Sequence, residues 1–503
     1  MTLDPSSTPS SSVRIRLEPL SVELELPRGG SLVPGLAAHG VEFPCGGTGE
    51  CGGCQVRVLS GALPVTEADA DTFSVDQLAQ GWRLACQARA DEPLVLECGQ
   101  WHMEILSDST TSSPQIYSKT NKIAIDLGTT TIAAQLVDVA SGDVLGVETM
   151  LNPQAAFGSD VMSRIRAALE GQDVTTPIRT ALGQLVARLA RGRASQVTEV
   201  LLVGNTVMHH LFCGLDVEPL AHVPFQSPHF AEQRFNARDL GWDLPSHCVI
   251  RFARCIGGFV GSDILAGIVA AGIARGYDLT ALVDLGTNGE IAIGNRHGIV
   301  CASTAAGPAF EAGAIRMGMR AVTGAIAYIA LADGTLRPTV LGDVAPRGIC
   351  GSGLVDAVAA GLRSGAILAN GRIADGSKIF PVAPPVVLYQ SDIRELQLAK
   401  GAIAAGFRLL LKRLGAQARS LHAIHLAGAF GNYVQIESAL RVGLLEAPHS
   451  VIHAAGNTAL RGAKMLLLAR EEPPLPHIEH VSLAADPAFQ GEFASCMTFP
   501  GPS

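Results

Sequence analysis

The chain has 503 residues, 48% of them hydrophobic, which is enough length and apolar material for several folded cores. Its net charge of −9 and the lack of any basic run argue against nucleic acid or an anionic membrane as the main partner. Aromatic residues at 5% offer no stacking platform for a nucleic-acid strand.

Met1 to Ser12 is rich in Ser, Thr and Pro and lacks the basic flank and apolar centre of a signal peptide. Val13–Leu17 and Val22–Leu26 alternate apolar and polar residues, which predicts a hairpin, and Ser31–Ala38 reads as a short helix. The chain then enters Pro44-Cys45-Gly46-Gly47-Thr48-Gly49-Glu50-Cys51-Gly52-Gly53-Cys54, continues as a strand over 55–59, and reaches a further cysteine at Cys86. Three thiolates in a glycine-rich loop with a fourth from downstream suit a two-iron, two-sulfur cluster, because bare glycine backbone can wrap closely and aim amides at sulfur. Five residues separate Cys45 from Cys51 and two separate Cys51 from Cys54. That spacing resembles adrenodoxin-like and reductase-fused ferredoxins, whereas the plant-type first gap has four residues. A structural zinc would call for two short Cys-x-x-Cys knuckles, and one is present. Cys98, closing the apolar run 94–96, reads as a buried strand residue. The order of elements predicts a β-grasp ferredoxin domain over residues 13–104.

Residues 105–120, rich in Ser and Thr, read as a linker. The unit that follows, 121–503, contains an internal echo. Lys122-Ile123-Ala124-Ile125-Asp126-Leu127-Gly128-Thr129 recurs as Ala281-Leu282-Val283-Asp284-Leu285-Gly286-Thr287, and each copy leads into a second strand, a polar tip and a third strand. Two such copies predict two similar lobes facing across a cleft, the second starting at about 280. A buried strand ending in Asp, then Gly, then Thr has a chemical use: the glycine permits a tight turn, amides and hydroxyls point at phosphate oxygens, and the carboxylate holds a hydrated Mg²⁺. Leu426-Ala427-Gly428-Ala429-Phe430-Gly431-Asn432 is a strand running into a small-residue turn that a base or ribose could approach closely, or else a helix N-terminus with packing glycines.

These turns resemble those of the superfamily of acetate kinase, sugar kinases, chaperone ATPases and actin, and the fusion to a ferredoxin domain resembles the reductive activators of corrinoid proteins. Asn152 to Asp160, Val203-Gly204-Asn205-Thr206, Ala305 to Glu311 and Gly348-Ile349-Cys350-Gly351-Ser352-Gly353 carry the same resemblance. It implies a mixed α+β and α/β chain, a ferredoxin followed by a two-lobed actin-like (ribonuclease H-like) ATPase. Larger members carry a middle segment between ferredoxin and ATPase, where this chain has the short linker.

The resemblance further implies ATP-driven, one-electron reduction of an inactive cob(II)alamin to cob(I)alamin on a corrinoid-binding methyl-transfer protein. A donor lying 100 mV above its acceptor works against about 2.3 kcal/mol, so ATP must favour a conformation in which the product is better stabilised. Cys45, Cys51, Cys54 and Cys86 are expected to hold the cluster. Asp126 and Asp284 would organise Mg²⁺ and water, and Glu290 would either polarise the attacking water or be a structural strand residue. Gly128, Thr129, Thr130, Thr131, Gly286, Thr287, Asn288, Gly428, Gly431 and Asn432 would contact ATP. An upstream low-potential donor is implied, and a homodimer is kept open.

The remaining candidates have plainer readings. His209-His210 suits packing or surface, 409–414 a core helix, and Cys350 a small buried residue near the nucleotide. The longest helix-like apolar stretch, 264–274, is too short for a bilayer. The eleven irregularly spaced cysteines suit a reduced, cytoplasmic setting.

Overall fold

Alternation along Ser12–Glu18 buries Val13, Ile15 and Leu17 while Arg14 and Arg16 face outward, so one face of the strand is committed to a core. This strand pairs antiparallel with Val22–Pro27 and parallel with Leu94–Cys98, and Gln55–Ser60 and Trp82–Leu84 complete a five-stranded sheet. Leu32, Leu36, Val56, Leu84, Leu96 and Cys98 fill the core beneath it. The predicted hairpin and strand are present. The helix is Val33–Ala38, beginning later than expected because Gly30–Ser31 pairs with Arg89–Ala90 and Ser31 Oγ accepts from the Val33 amide. Residues described in this computed structural model are 12–18, 22–38, 41, 54–98, 120–158, 160–286, 288–342, 344–471 and 473–501. Cys45, Cys51, Thr287 and almost all of the 105–120 linker lie outside them, as do the side chains of residues 22, 37, 38, 429 and 432.

The remainder is built on two six-stranded sheets that share a five-strand design, their sixth strands being added at different edges. In the first, Asn121–Leu127, Thr131–Asp138 and Val144–Leu151 form an antiparallel meander, and Val197–Gly204 and then Val249–Phe252 run parallel beside the first strand. In the second, Thr280–Leu285, Gly289–Asn295 and Gly298–Thr304 form the meander, with Ala423–Ala427 and Ile452–Gly456 parallel beside the first strand. The echo read from the sequence is therefore a repeat of topology as well as of residues.

Two helices lie between the sheets. Ser262–Ala270 leads from the first sheet to the second, and Thr458–Leu468 leads back to pack on Ala124, Ala133 and Leu201 of the first. They touch backbone to backbone: a Cβ on Gly462 would fall 1.9 Å from the Ala266 carbonyl oxygen, so only glycine permits this approach. The long helix Gln390–Arg413 covers the second sheet with Leu396, Ile403, Phe407 and Leu410. Each such fully buried side chain contributes about 1.5–3 kcal/mol. Leu409, Leu410 and Leu411 are buried, as a core helix requires. His209 and His210 are both fully buried in the helix Thr206–Cys213 and serve packing: His210 bonds the Thr206 carbonyl at 2.8 Å and Ser227 at 2.7 Å, and His209 meets Phe252 edge-on. No helix among the described residues is long and apolar enough to cross a membrane.

Candidate nucleotide site and cluster end

Both meanders place an aspartate at the end of their first strand, and both face one cavity of about 280 Å³. Asp126, Gly128, Thr129, Thr130 and Thr131 line it from the first lobe, and Asp284, Gly286, Asn288, Glu290 and Gly428 from the second. The turns are held from behind. The Gly128 amide donates to Thr131 O, the Gly286 amide donates to Asn288 O, and Asn152 Nδ2 donates to Gly128 O at 2.8 Å. Asn205 caps the helix 206–213 through Met208 N and donates to Thr129 Oγ1 at 2.9 Å, tying the helix start to the turn.

Of the residues expected here, Gly431 is not among those lining the cavity; a Cβ there would press on Leu426, so it is a packing glycine. Gly428 does line it. It opens the short helix Gly428–Tyr433 at φ +81°, and a Cβ would fall 2.5 Å from Asp284 Oδ1. The small-residue turn is thus also a helix N-terminus, with Phe430 and Tyr433 facing the cavity. Cys350 lines the cavity and is buried. Thr287 and the Asn432 side chain lie outside the described residues.

The electrostatics centre on four acids. Burial pushes the Asp126 carboxyl up to about 6 against the lowering effect of the Asn457 amide, which donates to Asp126 Oδ2 at 2.8 Å. Burial and then the Asp126 charge push Asp284 up to about 7. Asp263, which sequence reasoning missed, also lines the cavity; burial, with Asp284 and Asp126 adding to it, raises it to about 8. Glu290 is raised well above the usual carboxylate range by burial, then by Asp263 and Asp284, and accepts from Ser303 Oγ at 3.2 Å. Such a group of like charges can ionise together only beside a cation. No three His, Cys, Asp or Glu side chains among the described residues are arranged to hold a metal directly. Carboxylates gathered on one cavity are a donor set that would suit an oxygen-preferring, partly hydrated cation such as Mg²⁺.

Asp263 is positioned by glycine. Gly261 lies against Gly204 O, where a Cβ would fall 2.2 Å away, and Ser262 Oγ bonds Gly204. The signal was Gly261-Ser262-Asp263 opening an apolar helix. Asn457 was missed as well, being an N-cap whose side chain also reaches across to Asp126.

At the other end of the chain, Cys54 is buried and Cys86 half-buried. The Cys86 amide donates to Cys54 Sγ at 3.4 Å, and Gln87 Nε2 lies 3.6 Å from Cys86 Sγ. Amide donors to sulfur are what thiolate ligands of an iron–sulfur cluster need, so these two positions fit the expected group. Cys98 is buried in its strand, and burial followed by the Glu97 charge pushes its thiol up to about 12, which makes it a structural residue.

Comparison with known proteins follows the same division. Residues 15–91 match the 2Fe-2S iron-sulfur cluster binding domain, 122–276 the RACo middle region, and 278–503 the C-terminal domain of RACo, the ASKHA domain. The corrinoid activation enzyme RamQ of Eubacterium limosum is 35% identical over 408 residues, covering 73% of this chain and 68% of that one. The chain belongs to the family of reductive activators of corrinoid proteins. A second member, the [Co(II) methylated amine-specific corrinoid protein] reductase of Methanosarcina barkeri, is 28% identical over 386 residues, covering 69% of this chain and 70% of that one. The solved structure of a reductive activator for corrinoid,iron-sulfur protein superposes with a TM-score of 0.65 at 25% identity, covering 97% of this chain and 98% of that chain. The middle region of these activators is thus matched here by the first lobe, rather than being replaced by the short linker.

Proposed function

We infer that this activator returns a corrinoid-binding methyl-transfer protein from cob(II)alamin to cob(I)alamin at the expense of ATP, taking electrons from a low-potential donor. The observation that carries this reading is the single cavity onto which both strand-end aspartates open, in a chain that also carries the ferredoxin unit. Thr129, Thr130 and Thr131 on one side and Asn288 on the other, with Thr287 as the sequence leads one to expect, would contact the phosphates. Asp126, Asp263 and Asp284 would accept hydrogen bonds from the waters of Mg²⁺, whose charge neutralises the acids and the phosphates. Glu290, ionised beside that charge and oriented by Ser303, would polarise the attacking water. Because the phosphates touch both lobes, binding favours the closed arrangement and cleavage relaxes it; ATP thereby biases conformation, the only way a ligand can drive an unfavourable transfer.

Cys54 and Cys86, with Cys45 and Cys51, would hold a two-iron, two-sulfur cluster, which supplies one-electron transfer. The Cys86 amide and Gln87 would stabilise the charge on its sulfurs. None of the nine described cysteines is in a disulfide, which supports a reducing, cytoplasmic setting.

The test is anaerobic, ATP-dependent loss of the cob(II)alamin absorbance of a corrinoid partner. Cys54→Ala is expected to lose both cluster absorbance and cobalt reduction. Asp284→Ala should keep the cluster and lose reduction by at least about 100-fold, the scale of removing one preorganised charge contact. Normal cobalt reduction by Asp284→Ala would refute the coupling.

A further inference from the structure

The ferredoxin unit touches both lobes, and each contact is bonded directly to a wall of the nucleotide cavity. On the first lobe, Leu151 packs against the ferredoxin core and the turn Pro153–Phe157 lies against the helix Val33–Ala38. Between them sits Asn152, whose amide donates to Thr130 O at 2.8 Å and whose side chain donates to Gly128 O. The ferredoxin contact and the phosphate-facing turn are therefore consecutive parts of one hydrogen-bonded segment.

On the second lobe the contact is Arg347. Its Nη1 donates to Gln55 Oε1 at 2.6 Å, its Nη2 donates to Thr323 O, and its guanidinium stands 5.0 Å from the Trp82 ring. Gln55 follows Cys54 directly, and Trp82 is on the strand leading to Cys86, so the arginine grips the cluster end of the ferredoxin unit. The grip is built: Arg347 lies over the bare backbone of Gly324, where a Cβ would meet its Nε at 2.3 Å, and its amide donates to Gly324 O. The same two segments form the cavity wall. Met319 N donates to Ile349 O and Ile349 N to Met317 O, while Met319, Arg320, Ala321 and Cys350 line the cavity.

We propose that the two rims of the nucleotide cleft form a split cradle for the ferredoxin unit, so that nucleotide binding and ferredoxin docking reinforce one another. The proposal rests on reading the cleft as a nucleotide site. Both contacts are made at the lobe spacing of this structure, the same spacing that puts Asp126, Asn457 and Asp284 on one cavity. A nucleotide that holds the lobes there tightens the cradle, and by linkage the docked ferredoxin tightens nucleotide binding by the same factor.

The experiment uses the full, cluster-loaded chain, with hydrogen exchange read at 82–84 and 154–157 with and without MgADP, alongside MgADP calorimetry. MgADP is expected to slow exchange at both contacts by at least about fivefold, the lower end of ordinary coupling. Arg347→Ala should remove that protection and weaken MgADP by the same factor. Arg347→Lys should resemble it, since an ammonium offers neither the flat stack nor the fork. Gln55→Ala removes the hydrogen bond from the ferredoxin side, away from the cavity wall, and should act in the same direction. Bound MgADP with exchange unchanged at both contacts overturns the proposal. So does an Arg347→Ala effect on MgADP that Gln55→Ala does not share, because Arg347 would then act on the wall alone. Absence of MgADP binding to the unaltered chain would instead overturn the nucleotide reading, and this proposal with it.

Discussion

Four of the acids that line the cavity, Asp126, Asp263, Asp284 and Glu290, are shifted upward and govern its response to pH. Asp126, Asp263 and Asp284 hold protons in the folded, metal-free protein at pH values where the unfolded chain has released them. Their folded-state values are raised, so metal-free stability should fall as pH rises from about 4 through 8. Binding of Mg²⁺ must displace those protons. Affinity for Mg²⁺–nucleotide is therefore expected to rise between pH 6 and 8, by up to about tenfold per pH unit for each proton displaced. Calorimetry in buffers of different ionisation enthalpy would count the protons, and Asp263→Asn should flatten the slope. At this scale Asp126 and Asp284 were legible because a strand-end aspartate before Gly and Thr occurs twice. Asp263 was not, because an acid in the first turn of an apolar helix looks like any helix start until the fold brings it beside the other three.

Among the elements, the pair of helices between the sheets is where the lobes are joined, and Gly462 is its tightest point. Gly462→Ala must separate backbones that leave 1.9 Å for the new atom. Overpacking of this kind costs about 1–3 kcal/mol, measurable as a lower thermal midpoint, and the same displacement should weaken MgADP binding. The repeat of strand, turn and strand was readable as elements, since buried alternation and Gly-containing tips are local signals. The crossing helices were not, for the stretch 264–274 showed only that it was apolar and too short for a bilayer. Its packing against Thr458–Leu468 depends on residues almost 200 positions away. That Gly428 and not Gly431 lines the cavity was hidden for a similar reason: which glycine of Gly428–Gly431 faces it depends on the helix that begins at the first.

Over the whole molecule, the ferredoxin core is separate from the clusters that hold the two lobes. Calorimetry should therefore resolve more than one unfolding transition. MgADP at about 100 times its dissociation constant should stabilise the two-lobed unit by about 2.7 kcal/mol, with a smaller upward shift of the ferredoxin transition transmitted through the cradle.

The sequence alone determined the kinds of chemistry present and their order along the chain: a thiolate loop in glycine, then two strand-end aspartates in matching frames. Those signals are local, because cluster ligands and phosphate turns need particular residues at short spacing. Only the tertiary structure decided what stands opposite what. It brought Asp263 and Asn457 to the cavity, turned Gly431 away from it, and laid Arg347 between Gly324 and Trp82. Those relations arise from packing between distant segments, where burial and close backbone approach are created by the fold itself.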